Sequence, residues 1–581
     1  MEKNEILSHI RHSLAHLLAA AVREIYPGAK NAIGPSIDNG FYQDFDLPVT
    51  ISDKDLPKIE NQMRKILKTW KGFVKKEVSE EEALKEFAWN EYKCELIREF
   101  AEGGKQITFY TSGTFIDLCK GGHVDDPAKE IKQDAFKLER VAGAYWRGDE
   151  KNKMLTRIYG LAFESKDSLV EYEKQIEEAK KRDHKKLGKE LDLFTFSDLV
   201  GAGLPLWTPR GTMLRNTLDN FVWELRHKAG YEKVEIPHIT KKDLYEKSGH
   251  WQKFGNELFK IMTREGHEFV IKPMNCPHHT QIYARKPWSY REMPQRYANT
   301  TMCYRDEQTG ELSGLSRVRS ITQDDAHVFC RLSQVKEEMT KIWDIIQTFY
   351  NAVGFILTPR LSLHDPKEMQ KYLGTAETWK KSEDELRELV KEKGATAIEA
   401  VGEAAFYGPK VDFLGKDSLG REWQVATIQL DMNMPERFEL DCTNEKGEKE
   451  RIVMIHAAIM GSIERYLAII IEHFAGNFPL WLAPTQVKVI PIGEAHNKAA
   501  ESAAAALSAA GLRVDLDASD EGFGKKVRHS KQMKIPYFII IGDKDLEAGK
   551  VTLESRDKGN LGQLTVAEIA KKLSEESTAK K

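Results

Sequence analysis

Six cysteines in 581 residues are few, and Cys94, Cys119, Cys276, Cys303, Cys330 and Cys442 never fall in CxxC spacing. Such scatter excludes the disulfide framework of a small secreted domain and suits a reducing cytosol. No apolar run approaches the ~20 residues of a bilayer-spanning helix. The run YLAIII, ending at Ile471, is far shorter. The N-terminus, MEKNEILSHIRHSLAHLL, has no apolar signal core followed by a small-residue cleavage site. Neither sign of charge dominates: 87 Lys+Arg against 90 Asp+Glu give a net charge of -3, so any surface for nucleic acid has to be local. These absences predict a cytoplasmic protein with no membrane partner.

What is present is ample for folding. Apolar residues make up 41% and aromatic residues 9%, which excludes a disordered chain, and the length allows roughly three or four domains. Residues 1–163 mix helical and strand patterns. They open with EILSHIRHSLAHLLAAAVREIY, where Ile6, Ile10, Leu14, Leu17, Leu18 and Val22 share a helical face. Residues 164–190 are charged with helical period and read as a solvated linker helix. In 191–482, a helix through Leu214, Leu218, Phe221, Val222 and Leu225 leads into the strand-like YEKVEIPHI. Strands centred on 301–306, 317–330, 410–415 and 421–431 follow, then a helix near Gly461, so an antiparallel sheet wrapped by helices is expected. Residues 483–581 alternate as β-α-β-α-β, the pattern of an α/β domain with a mostly parallel sheet.

Three places carry side chains suited to chemistry. In ITQDDAHVFC (321–330), strand alternation puts Ile321, Gln323, Asp325, His327 and Phe329 on one face, three of them polar in succession. Upstream, Arg305 ends an apolar strand, and Arg317 and Arg319 return after a Gly-rich loop. Converging arginines suit polyphosphate, although by themselves they read as hairpin charges on a solvated face. Near the N-terminus, His12 and His16 share a helix face, and FIDLCKGGH gathers Asp117, Cys119 and His123 before and after a Gly-Gly turn. That set reads equally as a metal site or as a helix and loop without one. Cys276, His327 and His456 lie far apart, with no HExxH or CxxC, and by spacing alone read as core residues.

Several strings, in collinear order along essentially the whole chain, resemble one known family. YRDE…RVRSITQDDAH, VMIHAAIMGSIERYLAIIIEHFAG and the earlier GYEKVEIPHI resemble the three class-defining motifs of class II aminoacyl-tRNA synthetases. With GHW, IKPMNCP, EAAFYGPKVDF and WQVATIQLD, they resemble the threonyl-tRNA synthetase family in particular. The resemblance implies an α+β multidomain protein. It would comprise an N-terminal α+β editing domain (1–163), a linker helix (164–190), a class II antiparallel-sheet catalytic domain (191–482) and a C-terminal α/β anticodon-binding domain (483–581). It implies ATP-dependent charging of tRNA(Thr) with L-threonine by a homodimer, with subunits meeting at the helix and strand that end at Pro237.

Residue roles follow from the same resemblance. Arg305 would hold the α-phosphate and the amino-acid carboxylate, Glu307 the adenine amino group and Arg317 the γ-phosphate, with Mg2+ bridging phosphates and Arg465 lying on the adenine. Cys276, His327 and His456 match the family's ligands for one Zn2+ per subunit, and three protein ligands leave one position open. Asp325 would accept the threonine hydroxyl, with Gln323, Tyr407, Gln424 and Thr427 closing the pocket, and His250 would assist proton movement during transfer to tRNA. His12, His16, Tyr42, Lys93, Asp117, Cys119 and His123 would form a metal-free editing site for mischarged serine.

Three departures stand out. Ile321 replaces the family's aromatic platform for adenine, which implies weaker ATP binding than in relatives. Lys120 and Gly122 replace Arg and Pro in the editing loop, and the family's N-terminal ubiquitin-like domain is expected to be absent. Two competing readings are a tRNA- or mRNA-binding regulator that has lost catalysis and a stand-alone editing hydrolase. Neither requires the complete set Arg305, Glu307, Arg465, Cys276, His327 and His456.

Overall fold

The computed structural model describes residues 3–580, and the chain divides into two compact units between Glu177 and Glu178. The first unit is built on helix α1 (Lys3–Ile25), a Leu- and Ala-rich stretch without Gly or Pro. Its apolar side, including Leu14, Leu18 and Val22, is buried against strand β1 (Gly40–Asp46) and helix α2 (Leu56–Leu67). Helix α3 (Glu91–Glu102), the hairpin of β2 (Thr108–Ser112) and β3 (Phe115–Leu118), and strands β4 (Phe136–Tyr145) and β5 (Met154–Ala162) complete the frame. Strand β5 lies between β1 and β4, antiparallel to both. Gly160 on β5 is required there, because a Cβ would come 2.4 Å from the Phe41 ring.

The charged stretch after β5 forms two helices, Lys166–Arg182 and His184–Glu190, where one linker helix was expected. Asp183 breaks the run, its carboxylate accepting from the Lys185 and Lys186 amides as an N-cap.

The second unit carries an eight-stranded sheet. Helix α4 (Pro209–Lys228) starts with Thr208 accepting from the Gly211 amide and Pro209 in the first turn. YEKVEIPHI then supplies only a two-residue strand, β6 (Glu232–Lys233). Helix α5 (Cys276–Tyr283) is followed by β7 (Gln295–Tyr304), β8 (Ser320–Cys330) and helix α6 (Val335–Val353). Strands β9 (Ile356–Leu363), β10 (Ile398–Val401), β11 (Lys410–Lys416), β12 (Glu422–Asp431) and β13 (Val453–Ala458) and helix α7 (Ile463–His473) follow. The spatial order is β6-β7-β8-β13-β12-β11-β9-β10, antiparallel except for the edge pairs β6–β7 and β9–β10.

One face of β8 is core: Ala326, Val328 and Cys330 pack in the cluster that includes α6 and α7. Asp324, on that face, is fully buried and meets Arg226 of α4 at 2.5 Å. It also accepts from the Ile459 and Met460 amides, which tie down the segment leading into α7. Burial pushes the Asp324 carboxyl up to about 6, and Arg226 opposes that rise.

The C-terminal part forms a separate five-stranded sheet of β14 (Val487–Pro491), β15 (Val514–Leu516), β16 (Tyr537–Ile541), β17 (Val551–Ser555) and β18 (Gly559–Leu564), in the order β15-β14-β16-β17-β18. The expectation of a mostly parallel sheet is corrected here. β15–β14 and β14–β16 are parallel, but β16–β17 and β17–β18 are antiparallel. The connection from β16 to β17 holds only a short helix, Asp543–Ala548, and that from β17 to β18 is a tight turn, both shorter than the dozen or so residues a parallel crossover needs. No helix among the described residues is long and apolar enough to cross a membrane.

Arg226→Ala strands the buried Asp324 carboxylate, so it should cost about 3–5 kcal/mol. Denaturant unfolding of the second unit, followed by tryptophan fluorescence, checks this; an unchanged midpoint refutes it.

Candidate active sites

Register builds the first site. In the antiparallel pair of β8 and β13, His327 lies directly opposite His456, so the two imidazoles stand side by side on one face. Helix α5 brings Cys276 to the same point from its N-terminus, and ligand atoms of all three lie within 4.8 Å of one another. His327 Nε2 is 3.0 Å from His456 Nδ1, and His456 Nε2 donates to Asp431 Oδ2 at 2.9 Å. Burial lifts the Cys276 thiol well above its ordinary value and lowers His327 well below its own. Two imidazoles and one thiol are a donor set that fits Zn2+, whose charge would deprotonate the sulfur.

A cavity of about 720 Å³ opens beside this cluster, with Asp325, Gln323, Tyr407 and His456 in its wall. Asp325 Oδ2 accepts from Asn275 Nδ2 at 3.1 Å. Gln424 and Thr427 also face the cavity, and both donate to one oxygen of Asp412, at 2.7 and 2.8 Å. Asp412 is fully buried, and its other oxygen takes Lys410 at 2.7 Å, Ser362 at 2.8 Å and Arg360 at 3.1 Å. This hub was missed in the sequence, although Lys410 and Asp412 sit two apart in EAAFYGPKVDF and therefore share a strand face. His250 is buried, its Nδ1 2.8 Å from Ser248 Oγ, and Cys276 Sγ lies 3.7 Å from its Nε2. Burial, with the nearby charges of His456, Arg305 and Arg437, brings it down to about 3, so the ring is neutral near pH 7.

A second cavity of about 420 Å³ adjoins the first and is lined by Arg305, Glu307, Arg317, Ile321 and Arg465. Arg305 and Gln323 face both cavities and so stand at their junction. Arg317 pairs with Glu307 at 2.7 Å, and Arg319 Nε donates to the Glu307 carbonyl at 3.0 Å. Ile321 sits opposite Cys303 in the β7–β8 register. Two aromatic rings not foreseen from the sequence support the arginines: Phe254 lies 4.9 Å from Arg305, and Trp423 lies 5.9 Å from Arg465.

The first unit holds a site of its own. Cys119 Sγ lies 3.4 Å from both His12 Nε2 and His123 Nε2. His16 Nδ1 meets Asp117 at 3.1 Å, and Lys93 meets the same carboxylate at 2.6 Å. Burial opposes every charge here, but the charges support one another. Hydrogen bonds with His12, His123 and His16 outweigh burial and bring the Cys119 thiol down to about 3. Asp117 and Cys119 outweigh burial at His16 and raise it to about 9. Against burial, Lys93 and His16 keep Asp117 below the usual carboxylate range. The connecting loop needs its glycines, because Gly121 and Gly122 have φ of +100° and +86°, the latter closed to proline. His12, His16, Cys119 and His123 are also close enough to hold a metal ion. Tyr42, expected in this site, packs instead on Tyr159 at 5.7 Å and under Arg157 at 3.9 Å.

A third cluster of metal-ligating types, Asp183, His184 and Glu472, has its imidazole already committed. His184 Nδ1 donates to Glu472 at 2.6 Å, and Nε2 accepts from the Leu315 amide. In the C-terminal domain, helix α8 (Phe523–Gln532) spends two of its lysines internally: Lys525 pairs with Glu521, and Lys526 donates to the Asp517 carbonyl.

Comparison with known proteins agrees with this layout. Residues 259–474 match the class II tRNA synthetase core domain (G, H, P, S and T), 486–576 the anticodon binding domain, and 107–159 the threonyl and alanyl tRNA synthetase second additional domain. The chain is 48% identical to a threonine–tRNA ligase of Porphyromonas gingivalis over 572 residues, 97% of this chain and 87% of that one. It is 48% identical to that of Deinococcus radiodurans over 554 residues, 94% of this chain and 85% of the relative. Among solved structures, the RNA-binding domain of threonyl-tRNA synthetase from Cryptosporidium parvum superposes with a TM-score of 0.65 at 36% identity. It covers 68% of this chain and 98% of that one.

The depressed Cys119 thiol makes a pH prediction. Alkylation of Cys119, followed by mass spectrometry, should be flat from about pH 5 to pH 8, whereas an ordinary thiol slows about tenfold per unit below its pKa of ~8.5. His12→Ala should lift the thiol and restore that slope; a steep slope in the native chain would contradict the ion-paired state.

Proposed function

The chain belongs to the threonine–tRNA ligases, and from that premise we propose that its two sites divide the work of charging tRNA(Thr) accurately. Threonine occupies the cavity beside Cys276, His327 and His456, and ATP, with Mg2+ on its phosphates, occupies the adjoining one. Arg305, at the junction, holds the α-phosphate and the amino-acid carboxylate together. It stabilises the charge that grows as the carboxylate oxygen attacks phosphorus and pyrophosphate leaves. Glu307 and Arg465 hold adenine, with apolar contact from Ile321, and Arg317 leaves Glu307 to take the γ-phosphate. Neutral His250 then shuttles a proton as the tRNA ribose attacks the adenylate.

One observation carries the substrate assignment: a sulfur and two imidazoles lie within 4.8 Å of one another, and one of those imidazoles, His456, lines the cavity that Asp325 also lines. Threonine and valine have nearly the same shape, and an apolar pocket separates such isosteres by only about 10²-fold. A site that bonds the hydroxyl rejects the analogue lacking it by roughly 10⁴–10⁵. Zn2+ held by Cys276, His327 and His456, one per subunit, would supply a Lewis-acid contact to the threonine amino and hydroxyl groups. Asp325 accepts the hydroxyl proton in a hydrogen bond, and Gln323, Tyr407, Gln424 and Thr427 enclose the side chain.

Serine lacks only a methyl group, worth about 1–3 kcal/mol, and therefore escapes this selection. The first unit supplies the second sieve. Its Cys119, His12, His16 and His123, with Asp117 held by Lys93, hydrolyse seryl-tRNA(Thr), and the balance of charge among them supports a metal-free site. The protein works in this reading as a cytoplasmic homodimer joined through α4 and the segment ending at Pro237. A regulator that had lost catalysis, or a stand-alone hydrolase, has no use for two adjoining cavities with both arginine sets intact.

ATP–pyrophosphate exchange with threonine, serine and valine tests the whole scheme. Cys276→Ser should lose stoichiometric zinc and reduce threonine-dependent exchange by about 10²-fold or more. A zinc-free enzyme that still separates threonine from valine would refute the selection. Cys119→Ala should leave exchange unchanged and slow clearance of seryl-tRNA(Thr) by about 10²-fold or more. Undiminished clearance would remove the editing assignment.

A further inference from the structure

The short string CPHH contains a histidine with no part in the chemistry above. His279 is fully buried and sits three residues after Cys276 on α5, so one helical turn presents both side chains on one face. Its Nδ1 lies 2.7 Å from His327 Nδ1, with the two rings perpendicular, and its Nε2 has no hydrogen-bond partner. His278, the intervening residue, points elsewhere, edge-on to Tyr245.

The contacts form a row: His279 to His327, His327 to His456, and His456 to Asp431. Asp431 accepts the Nε2 proton of His456 and thereby leaves Nδ1 of that ring as a lone pair. For His327 to present its Nε2 lone pair at the same point, its single proton has to sit on Nδ1. Among the described residues, the one hydrogen-bonding neighbour of that atom is His279 Nδ1. An outer partner that accepts the remote N–H of a metal-bound imidazole fixes both tautomer and ring orientation.

We infer that His279 is a positioning residue for the metal site: it accepts the Nδ1 proton of His327 and holds the ring so that Nε2 faces Cys276 and His456. It does for one imidazole what Asp431 does for the other. The choice of a neutral acceptor suits the setting, since a second carboxylate beside Asp325 would add like charge in a buried place. This inference rests on the zinc reading of Cys276, His327 and His456.

The test is zinc affinity, measured on full-length protein stripped of metal and retitrated with Zn2+ against a competing chelator. In His279→Asn the amide oxygen reaches the position of Nδ1 and can accept the same proton, whereas in His279→Gln it lies a carbon further out and His279→Leu has no acceptor. H279L and H279Q should each weaken zinc binding by about 10–100-fold, and H279N by no more than about threefold. Thermal unfolding of the metal-free forms runs alongside, and the inference requires H279N and H279Q to differ in zinc affinity while matching in apo stability. Zinc binding by H279L as tight as in the native chain would overturn it, as would H279N binding as weakly as H279L. If H279L does not fold, the H279N and H279Q pair decides. A native chain that takes up no stoichiometric zinc would instead remove the metal reading itself.

Discussion

The pairing of β8 with β13 is the constraint from which the synthetic site follows. His327 and His456 are 129 residues apart, and only their direct opposition in an antiparallel register brings them into contact. Strand side chains alternate with a period of two, so a slip of one residue would turn His456 into the core and offer Ala457 in its place. The same register fixes the strand's other face. Asp324 then meets Arg226 and the amides before α7, and the segment that delivers Arg465 is anchored to the strand that delivers Asp325. One β-strand thus lines both cavities with one face and, through Asp324 on the other, anchors the segment that leads to Arg465.

Adjoining cavities matter because adenylate formation joins two substrates. Arg305 and Gln323 border both chambers, so a single guanidinium can reach groups bound in either, which is what the proposed role of Arg305 requires. Aromatic backing preorganises such groups: Phe254 lies against Arg305 and Trp423 near Arg465, restricting long side chains before substrate arrives. Gln424 and Thr427 are held in the same way by the buried Asp412 hub.

Much of this was legible in the sequence wherever the information is local. The alternation in ITQDDAHVFC displayed a polar strand face, and the apolar spacing of the first helix displayed its buried side. The collinear motifs led to the family that the relatives bear out. Information carried by neighbours distant in sequence was not legible. Apart from Lys410 two residues before it, nothing near Asp412 announces that it will organise five side chains, and nothing near Tyr42 shows that Arg157 and Tyr159 will claim its ring. The three strands read in the C-terminal domain are parallel as expected, but the two antiparallel strands that follow β16 were not read at all, so the sheet is only half parallel. Helix α8 makes the same point, since composition counts its lysines but not the carboxylate and carbonyl that occupy two of them.

The two sites use the same residue types and reach opposite charge states, which separates their chemistry. Cys276 has no cation against it, so burial drives its thiol upward and drives His327 and His279 downward. A buried set of lone pairs is poised for a cation, which supplies the missing positive charge and turns the thiol into a thiolate. Cys119 instead sits among three imidazoles, one of them raised to about 9 by Asp117, and that carboxylate is balanced in turn by Lys93. Positive and negative charge already compensate there, so the Cys119 thiol is held low without help from a metal, at a half-buried position. Cysteine and histidine thus sit in contrasting electrostatic surroundings in the two units, and the neighbouring charges, rather than the residues themselves, make the difference.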